Sequence, residues 1–314
     1  MARKLNDMAS RKVPQMWVHV AAVIAVTAWG LSFINTKVLL DNDFTPVQVY
    51  VFRCIIAYFL LLAFSFRIIK SHSWRHELLF LLCGISGGSI YFVAENAALL
   101  YTTATNVSLI TSLSPLISAL LVFLLYKDER PSRGFFLGSL VAMVGVTMVI
   151  LGGVDSHSAG AEHNFFGDIL SFLAAICWSV YAILLRNLQA FYSPIVVTRK
   201  TFFYGLITAV PFLLLEPSRI SVQTFARPQV WLNLLILAVF ASSLAFLIWA
   251  WVIRRIGAVK AGNYIYFQPI FTLIFGYIIL HQHTSAISFI GCIVTLAGIY
   301  ASERLSKEKR RLHH

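Results

Sequence analysis

The sequence predicts an all-α integral membrane protein of ten transmembrane helices, built as two inverted-topology five-helix repeats. Three observations predict it. Hydrophobic residues make up 59% of the 314 and charged residues only 12%, where a soluble chain carries about 25% charged residues. The mean hydropathy is +0.78. Apolar runs of about 20 residues, long enough to cross a bilayer as a helix, recur along almost the whole chain. Landmarks of the first half then return, in order, in the second. No run shows the alternation of an outer-membrane barrel.

The ten spans are expected at 17–40, 46–68, 77–101, 104–126, 134–152, 167–188, 194–215, 229–252, 258–280 and 285–303. The first follows a basic stretch with Arg3, Lys4, Arg11 and Lys12. Its apolar run is too long for a signal-peptide core and lacks an A-x-A cleavage site. The second span carries Arg53, and the third carries Tyr91 and Glu95. The fourth presents Ser108, Thr111, Ser112 and Pro115 on one helical face. The fifth places Gly138 and Gly145 seven residues apart. The sixth holds Trp178, the seventh opens at Pro194, and the eighth offers Ser242, Phe246 and Trp249. The ninth shows Gly262, Ile265, Tyr266 and Pro269, with Gln268 adjacent. The tenth repeats the seven-residue glycine spacing at Gly291 and Gly298. The connections are short, and the longest, "GGVDSHSAGAEHNFFGD" and "EPSRISVQTFARPQ", are turn-forming or irregular.

Charge orients the chain. With the N-terminus in the cytoplasm, cytoplasmic segments and helix ends hold 21 of the 25 Lys and Arg residues, as the positive-inside rule requires. The other side keeps Lys37, Arg53, Arg219 and Arg227. The net charge of +12 would suggest nucleic acid in a soluble protein; here the basic residues act as topology signals, and no nucleic-acid partner is expected. The four cysteines, Cys54, Cys83, Cys177 and Cys292, lie inside apolar runs without pairing or metal spacing. No metal or other cofactor is expected.

The halves echo one another at nearly constant offset. "TAWGLSF" matches "AICWSVY"; Trp29 precedes Pro46 by 17 residues and Trp178 precedes Pro194 by 16. Ala104 precedes Pro115 by 11, as Ala258 precedes Pro269. Repeats of five helices must sit in opposite orientations, so 17–152 and 167–303 form an inverted pair, with 1–16 and 304–314 as cytoplasmic basic tails. Inverted repeats are a common plan of secondary transporters, with the substrate near the midplane. A duplicated membrane scaffold without transport is the alternative.

"AWGLSF" with Lys37, "TPVQVYVFRCIIAYFLLLAF", "ENAALLYTTATNVSLITSLSPLISALL" and "DERPSRGFFLGSLVAMVGV" resemble the first repeat of the drug/metabolite transporter superfamily, EamA type. "GDILSFLAAICWSVYAILLR", "RRIGAVKAGNYIYFQPIFTLIFGYIIL" and "FIGCIVTLAGIY" resemble the second. The resemblance covers roughly residues 17 to 303. It implies a ten-helix fold, a central cavity and usually export of amino acids or other small metabolites; the short loops and lack of an attached domain suggest an independent unit in a cytoplasmic (inner) membrane. The family commonly has an acidic residue after the fourth helix of each repeat. Glu129 fits, whereas the second repeat offers His281, Gln282 and His283, so no shared role is carried over.

Ionisable residues within spans are costly and usually face an interior or a wet cavity. Arg53 and Glu95 fall at comparable depth in the outer half of the first repeat, with Lys37 nearer the outer end of its helix so that all three can share one layer, and three readings of Glu95 are open. It pairs with Arg53 or Lys37, or binds an amine-bearing substrate, or couples transport to protons. The position matching Glu95 in the second repeat is Trp249, so the cavity should be electrostatically asymmetric. Arg199, Lys200, Arg254, Arg255 and Lys260 follow from the positive-inside rule; alternatively Lys200 and Lys260 form a mouth for anionic metabolites. The expected cavity residues are Trp29, Tyr91, Glu95, Ser108, Thr111, Ser112, Trp178, Phe246, Trp249, Tyr266 and Gln268. Lys37, Arg53, Glu95, Lys200 and Lys260 are the charged gate or coupling candidates, and Pro115 and Pro269 the hinges. For Ser and Thr the competing role is helix packing through small side chains. An aromatic pocket with few polar groups suits a mostly apolar molecule with a charged head.

No P-loop motif occurs, which argues against a self-contained primary pump. No H-E-x-x-H and no G-x-S-x-G occurs, so no enzyme is expected. The expected partners are a small-molecule substrate, the lipid bilayer and, under the coupling reading, protons. The function expected is export by alternating access; the alternative is a carrier of anionic metabolites, nucleosides or purines.

Overall fold

The computed structural model describes residues 14–64, 71–125, 133–154, 161–216, 221–256, 258–281 and 285–311. Among them every regular element is helical. In order these are α1 (Gln15–Leu40), α2 (Pro46–Phe64), α3 (Trp74–Tyr101), α4 (Ala104–Leu125), α5 (Arg133–Val154), α6 (Ala161–Gln189), α7 (Pro194–Leu215), α8 (Pro228–Ile256), α9 (Ala258–Ile265), α10 (Gln268–Leu280) and α11 (Ala286–Arg311). A single turn, Val222–Phe225, precedes α8. Seven of these helices, α1 to α4 and α6 to α8, are long and apolar enough to cross a membrane.

The starts of the helices are written locally. Thr45 and Gln48 form a reciprocal capping box at α2: the Gln48 amide donates to Thr45 Oγ1 (3.2 Å) and the Thr45 amide to Gln48 Oε1 (2.9 Å). Ser73 caps α3 and Thr103 caps α4 by accepting the amides of His76 and Asn106. Pro46, Pro194 and Pro228 each stand at the first position of a helix, where the missing N–H costs nothing.

Two expectations change. The stretch 258–280 is two helices, α9 and α10, separated by a turn at Tyr266 and Phe267. The fourth stretch turns likewise at Ser112 and Leu113. The causes are Pro269 and Pro115, whose rings have no N–H and crowd the carbonyl four residues back. Both turns carry the same bonds: Leu113 N–H to Ile110 O (3.1 Å) and Phe267 N–H to Tyr264 O (3.0 Å). The basic tail beyond 303 continues α11 as helix to Arg311, because its Glu, Lys, Arg and Leu are good helix formers.

The repeat is visible in the irregularities as well. α3 carries a π-helical segment at Ile85–Ser89 and α8 one at Ile236–Leu244, at matching places in the two halves. The fifth helix of each half, α5 and α11, pack on each other. A Cβ on Gly145 would stand 2.3 Å from Thr295 Oγ1, and one on Gly298 would stand 2.4 Å from the Ala142 amide nitrogen. Gly145 matches Gly298 and Ala142 matches Thr295, so each contact is the counterpart of the other. Residue numbers rise along one helix as they fall along the other: the pair is antiparallel and self-complementary. Small residues permit this approach, which suits helices in lipid, where packing rather than water drives association. Large apolar side chains such as Phe59, Leu140, Leu215 and Ile278 cover the outside, as a bilayer requires.

Candidate functional site

A cavity of about 20 Å³ lies where the first, third and fourth helices of both halves meet α2. Most of its lining comes in repeat-related pairs: Trp29 with Trp178, Phe92 with Phe246, Thr111 with Ile265, and Ser114 with Gln268. The last three pairs share the 154-residue offset that relates Pro115 to Pro269. The prolines explain two of them. Each releases the carbonyl four residues back, which belongs to Thr111 in one half and Ile265 in the other. Both lie on the cavity wall.

The remaining lining residues, Ser32, Arg53, Tyr91 and Glu95, have no lining counterpart. All four come from the first repeat. Their partners by offset are Tyr181, Thr201, Ala245 and Trp249. The scaffold of the cavity is therefore two-fold and its charge is one-sided.

Arg53 and Glu95 do not form an ion pair. Arg53 is 1% exposed; its Nε–H donates to Ser242 Oγ (2.8 Å) and its guanidinium lies 4.5 Å over the Phe92 ring. Glu95, 5% exposed, accepts from the Tyr91 hydroxyl at Oε1 (2.5 Å). Of the three readings of Glu95, the pairing with Arg53 is not formed; these neutral partners take its place. Two opposite charges thus face one small space, each with capacity left over. A guanidinium has five N–H donors and a carboxylate two acceptor oxygens; one donor and one oxygen are taken. Buried charges without a direct ion pair are expensive, and such arrangements in a membrane mark ligand or ion sites.

Aromatic rings fill the rest. Trp29 meets Trp178, Phe246 and Trp249 edge to face, with centroids 5.5, 5.7 and 5.1 Å apart. Tyr91 packs on Trp178 at 5.1 Å. The π segment of α8 anchors the cluster. Where four-residue spacing resumes after a π segment, one carbonyl is passed over; the Ala241 carbonyl there accepts the indole N–H of Trp29 (3.0 Å).

Of the expected cavity residues, Trp29, Tyr91, Glu95, Thr111, Trp178, Phe246 and Gln268 line it, as does Arg53. Four do not. Ser108 and Ser112 return their hydroxyls to their own helix, to Thr105 O and Leu109 O, the usual way a hydroxyl is satisfied within a span. Trp249 stands behind Trp29, and Tyr266 packs with Ala142. Lys37 leaves the expected charged layer for Asp41, one turn on, at 3.2 Å. Lys200 lies away from the cavity: its Nζ meets both Glu77 oxygens (2.6 and 2.8 Å) and Ser71 Oγ (2.8 Å), and Tyr204 donates to Glu77. An acid already neutralises it. The side chain of Lys260, together with Glu129, Gln282 and His283, lies outside the described residues. Pro115 and Pro269 sit at helix restarts. Ser32, Phe92 and Ser114 were missed, while Ile265 stood on the face singled out in the ninth span. Phe92 and Ser114 had a signal, since each is offset by 154 from a residue already singled out. Among the described residues no group of three or more His, Cys, Asp or Glu is placed to hold a metal.

Comparisons with known proteins agree with this architecture. The model of the EamA-like transporter family matches residues 16–151 and 165–302. An uncharacterized transporter of Archaeoglobus fulgidus is 28% identical over 284 residues, which cover 90% of this chain and 96% of that one. The uncharacterized transporter YetK of Bacillus subtilis is 25% identical over 96% of this chain and 90% of its own. A solved crystal structure superposes with a TM-score of 0.63 at 19% identity, covering 95% of this chain and 98% of its own. At that identity it shows the fold alone.

Proposed function

The chain belongs to the EamA-like transporter family, a membrane transporter and not an enzyme, and on that premise we propose that it exports zwitterionic amino acids by alternating access. The observation that carries this reading is the pair of buried, unpaired opposite charges in one aromatic cavity. The substrate carboxylate meets the free edge of Arg53, its ammonium meets Glu95, and an apolar side chain replaces the Trp29, Trp178 and Phe246 contacts. A buried ion with free donors is best matched by a charged ligand group.

The cavity as it stands is too small for such a molecule, since ligand pockets usually enclose about 300–1,000 Å³. It represents a closed state in which the aromatic rings of the two repeats touch. Transport then needs the halves to part on one side at a time, with the turns before Pro115 and Pro269 as hinges. Ten spans with both ends in the cytoplasm of an inner membrane belong to this reading; the bias of 21 of 25 basic residues and the antiparallel α5–α11 pair support that topology. Glu95 is the acid of the cavity, so protons are the proposed coupling ion. The Lys200–Glu77 pair gives no support to an anion-attracting mouth.

Counterflow in proteoliposomes tests this. Vesicles are preloaded with pooled amino acids, nucleosides, organic acids or sugar phosphates, and a labelled member of each pool is followed. Exchange of neutral and aromatic amino acids is expected. Exchange confined to the anionic pools would overturn the reading.

A further inference from the structure

The proposed carboxylate site uses one edge of Arg53, and something must decide which edge that is. Arg53 lies seven residues into α2, at 1% exposure, with its guanidinium carbon 4.5 Å from the centroid of the Phe92 ring. That contact alone leaves the guanidinium free to turn. Its single hydrogen bond among the described residues runs from Nε–H to Ser242 Oγ at 2.8 Å. This bond fixes the turn. With Nε occupied, the side-on edge is taken, and the two terminal amino groups are the edge left over that can receive a carboxylate with two parallel bonds.

Ser242 owes its place to α8. It stands in the π segment Ile236–Leu244, next to Ala241, whose carbonyl holds the Trp29 indole. Consecutive residues of one irregular turn thus hold the arginine and the central tryptophan. Ser242 is fully buried, and its neighbour Ser243 bonds to Ala238 O, five residues back, as π spacing allows. The residue matching Ser242 in the first repeat is Gly88, which has no side chain. The hydroxyl therefore belongs with the one-sided charge of the cavity and not with its two-fold scaffold. We propose that Ser242 is a positioning residue that orients Arg53 to receive the substrate carboxylate, making it a determinant of preference for carboxylate-bearing substrates. The proposal rests on the amino-acid reading above.

The test is a double-mutant cycle on binding by the purified full-length protein, read by titration calorimetry. The probes are phenylalanine and phenethylamine, which differ by the carboxylate alone. The quantity read is the ratio of their dissociation constants. Wild type should prefer phenylalanine, and Arg53→Gln should bring the ratio close to one. Ser242→Ala should lower the ratio about tenfold, the scale of a hydrogen bond to a charged group, and should have no further effect in the Arg53→Gln background. Ser242→Cys keeps the volume and offers a weaker acceptor, so an intermediate ratio is expected; it also serves if Ser242→Ala folds poorly. A wild-type ratio near one would overturn the amino-acid reading and this proposal with it. A wild-type preference lost in Arg53→Gln but intact in Ser242→Ala or Ser242→Cys would overturn the positioning role alone. So would a further effect of Ser242→Ala when Arg53 is already gone.

Discussion

Trp29 and Trp178, one from the first helix of each repeat, meet edge to face at the centre of the molecule, with ring centroids 5.5 Å apart and planes at 80°. They close the cavity between them, yet they are not equivalent: Trp29 also holds the Ala241 carbonyl. Trp29→Phe keeps a ring and removes that donor, and should cost about 1–3 kcal/mol. Trp29→Ala empties the ring's place as well and should cost about 3–5 kcal/mol. Thermal unfolding in detergent should rank wild type above Trp29→Phe and Trp29→Ala lowest. Equal losses in the two variants would mean that the ring packing contributes nothing beyond the hydrogen bond.

Glu95 is expected to separate two kinds of transport. Glu95→Gln removes the acid that would carry a proton and weakens the ammonium contact. Uptake driven by a pH gradient should be lost, while counterflow persists with a half-saturating concentration raised about tenfold, the scale of one charged contact. Gradient-driven uptake at the wild-type rate would exclude Glu95 from coupling.

Lys200 should prove structural. Its ion pair with Glu77 is partly exposed, with side-chain exposures of 16% and 40%, and pairs of that kind contribute about 0–1 kcal/mol. Lys200→Gln should shift the unfolding temperature slightly and leave the ranking of substrates in a counterflow competition unchanged. A changed ranking would return Lys200 to the substrate path.

The glycines separate close packing from open space. A Cβ on Gly84 would lie 2.7 Å from the backbone nitrogen of Gly205, whereas one on Gly262 would find Pro115 no nearer than 3.6 Å. Backbone cannot yield as a side chain tip can. Gly84→Ala should cost about 1–3 kcal/mol by overpacking, and Gly262→Ala should be tolerated. Comparable unfolding temperatures for the two variants would contradict the close approach of α3 and α7.

Much of this was legible in the sequence because a bilayer imposes simple demands. Apolar runs of fixed length had to be helices, and the returning landmarks had to mean a repeat. The same landmarks matched Trp29 to Trp178, which do meet, and Pro115 to Pro269. The burial of Arg53 and Glu95 was also legible, because they stand alone in apolar runs; that of Asp168 and Arg199 was not. Their partners were not. Whether Arg53 turns to Glu95 or to Ser242 is decided by helix rotation and by a π segment that shifts Ala241 and Ser242 toward the cavity, and no periodicity rule announces that shift. Ser108 and Ser112 show the same limit: a hydroxyl on the expected face can satisfy itself on its own helix. The sequence by itself determined the membrane helices, the repeat and the burial of Arg53 and Glu95, because these follow from residue polarity and spacing along one chain. Only the tertiary structure decided which edge of each charge is free, because that depends on distances of a few ångströms between helices far apart in sequence.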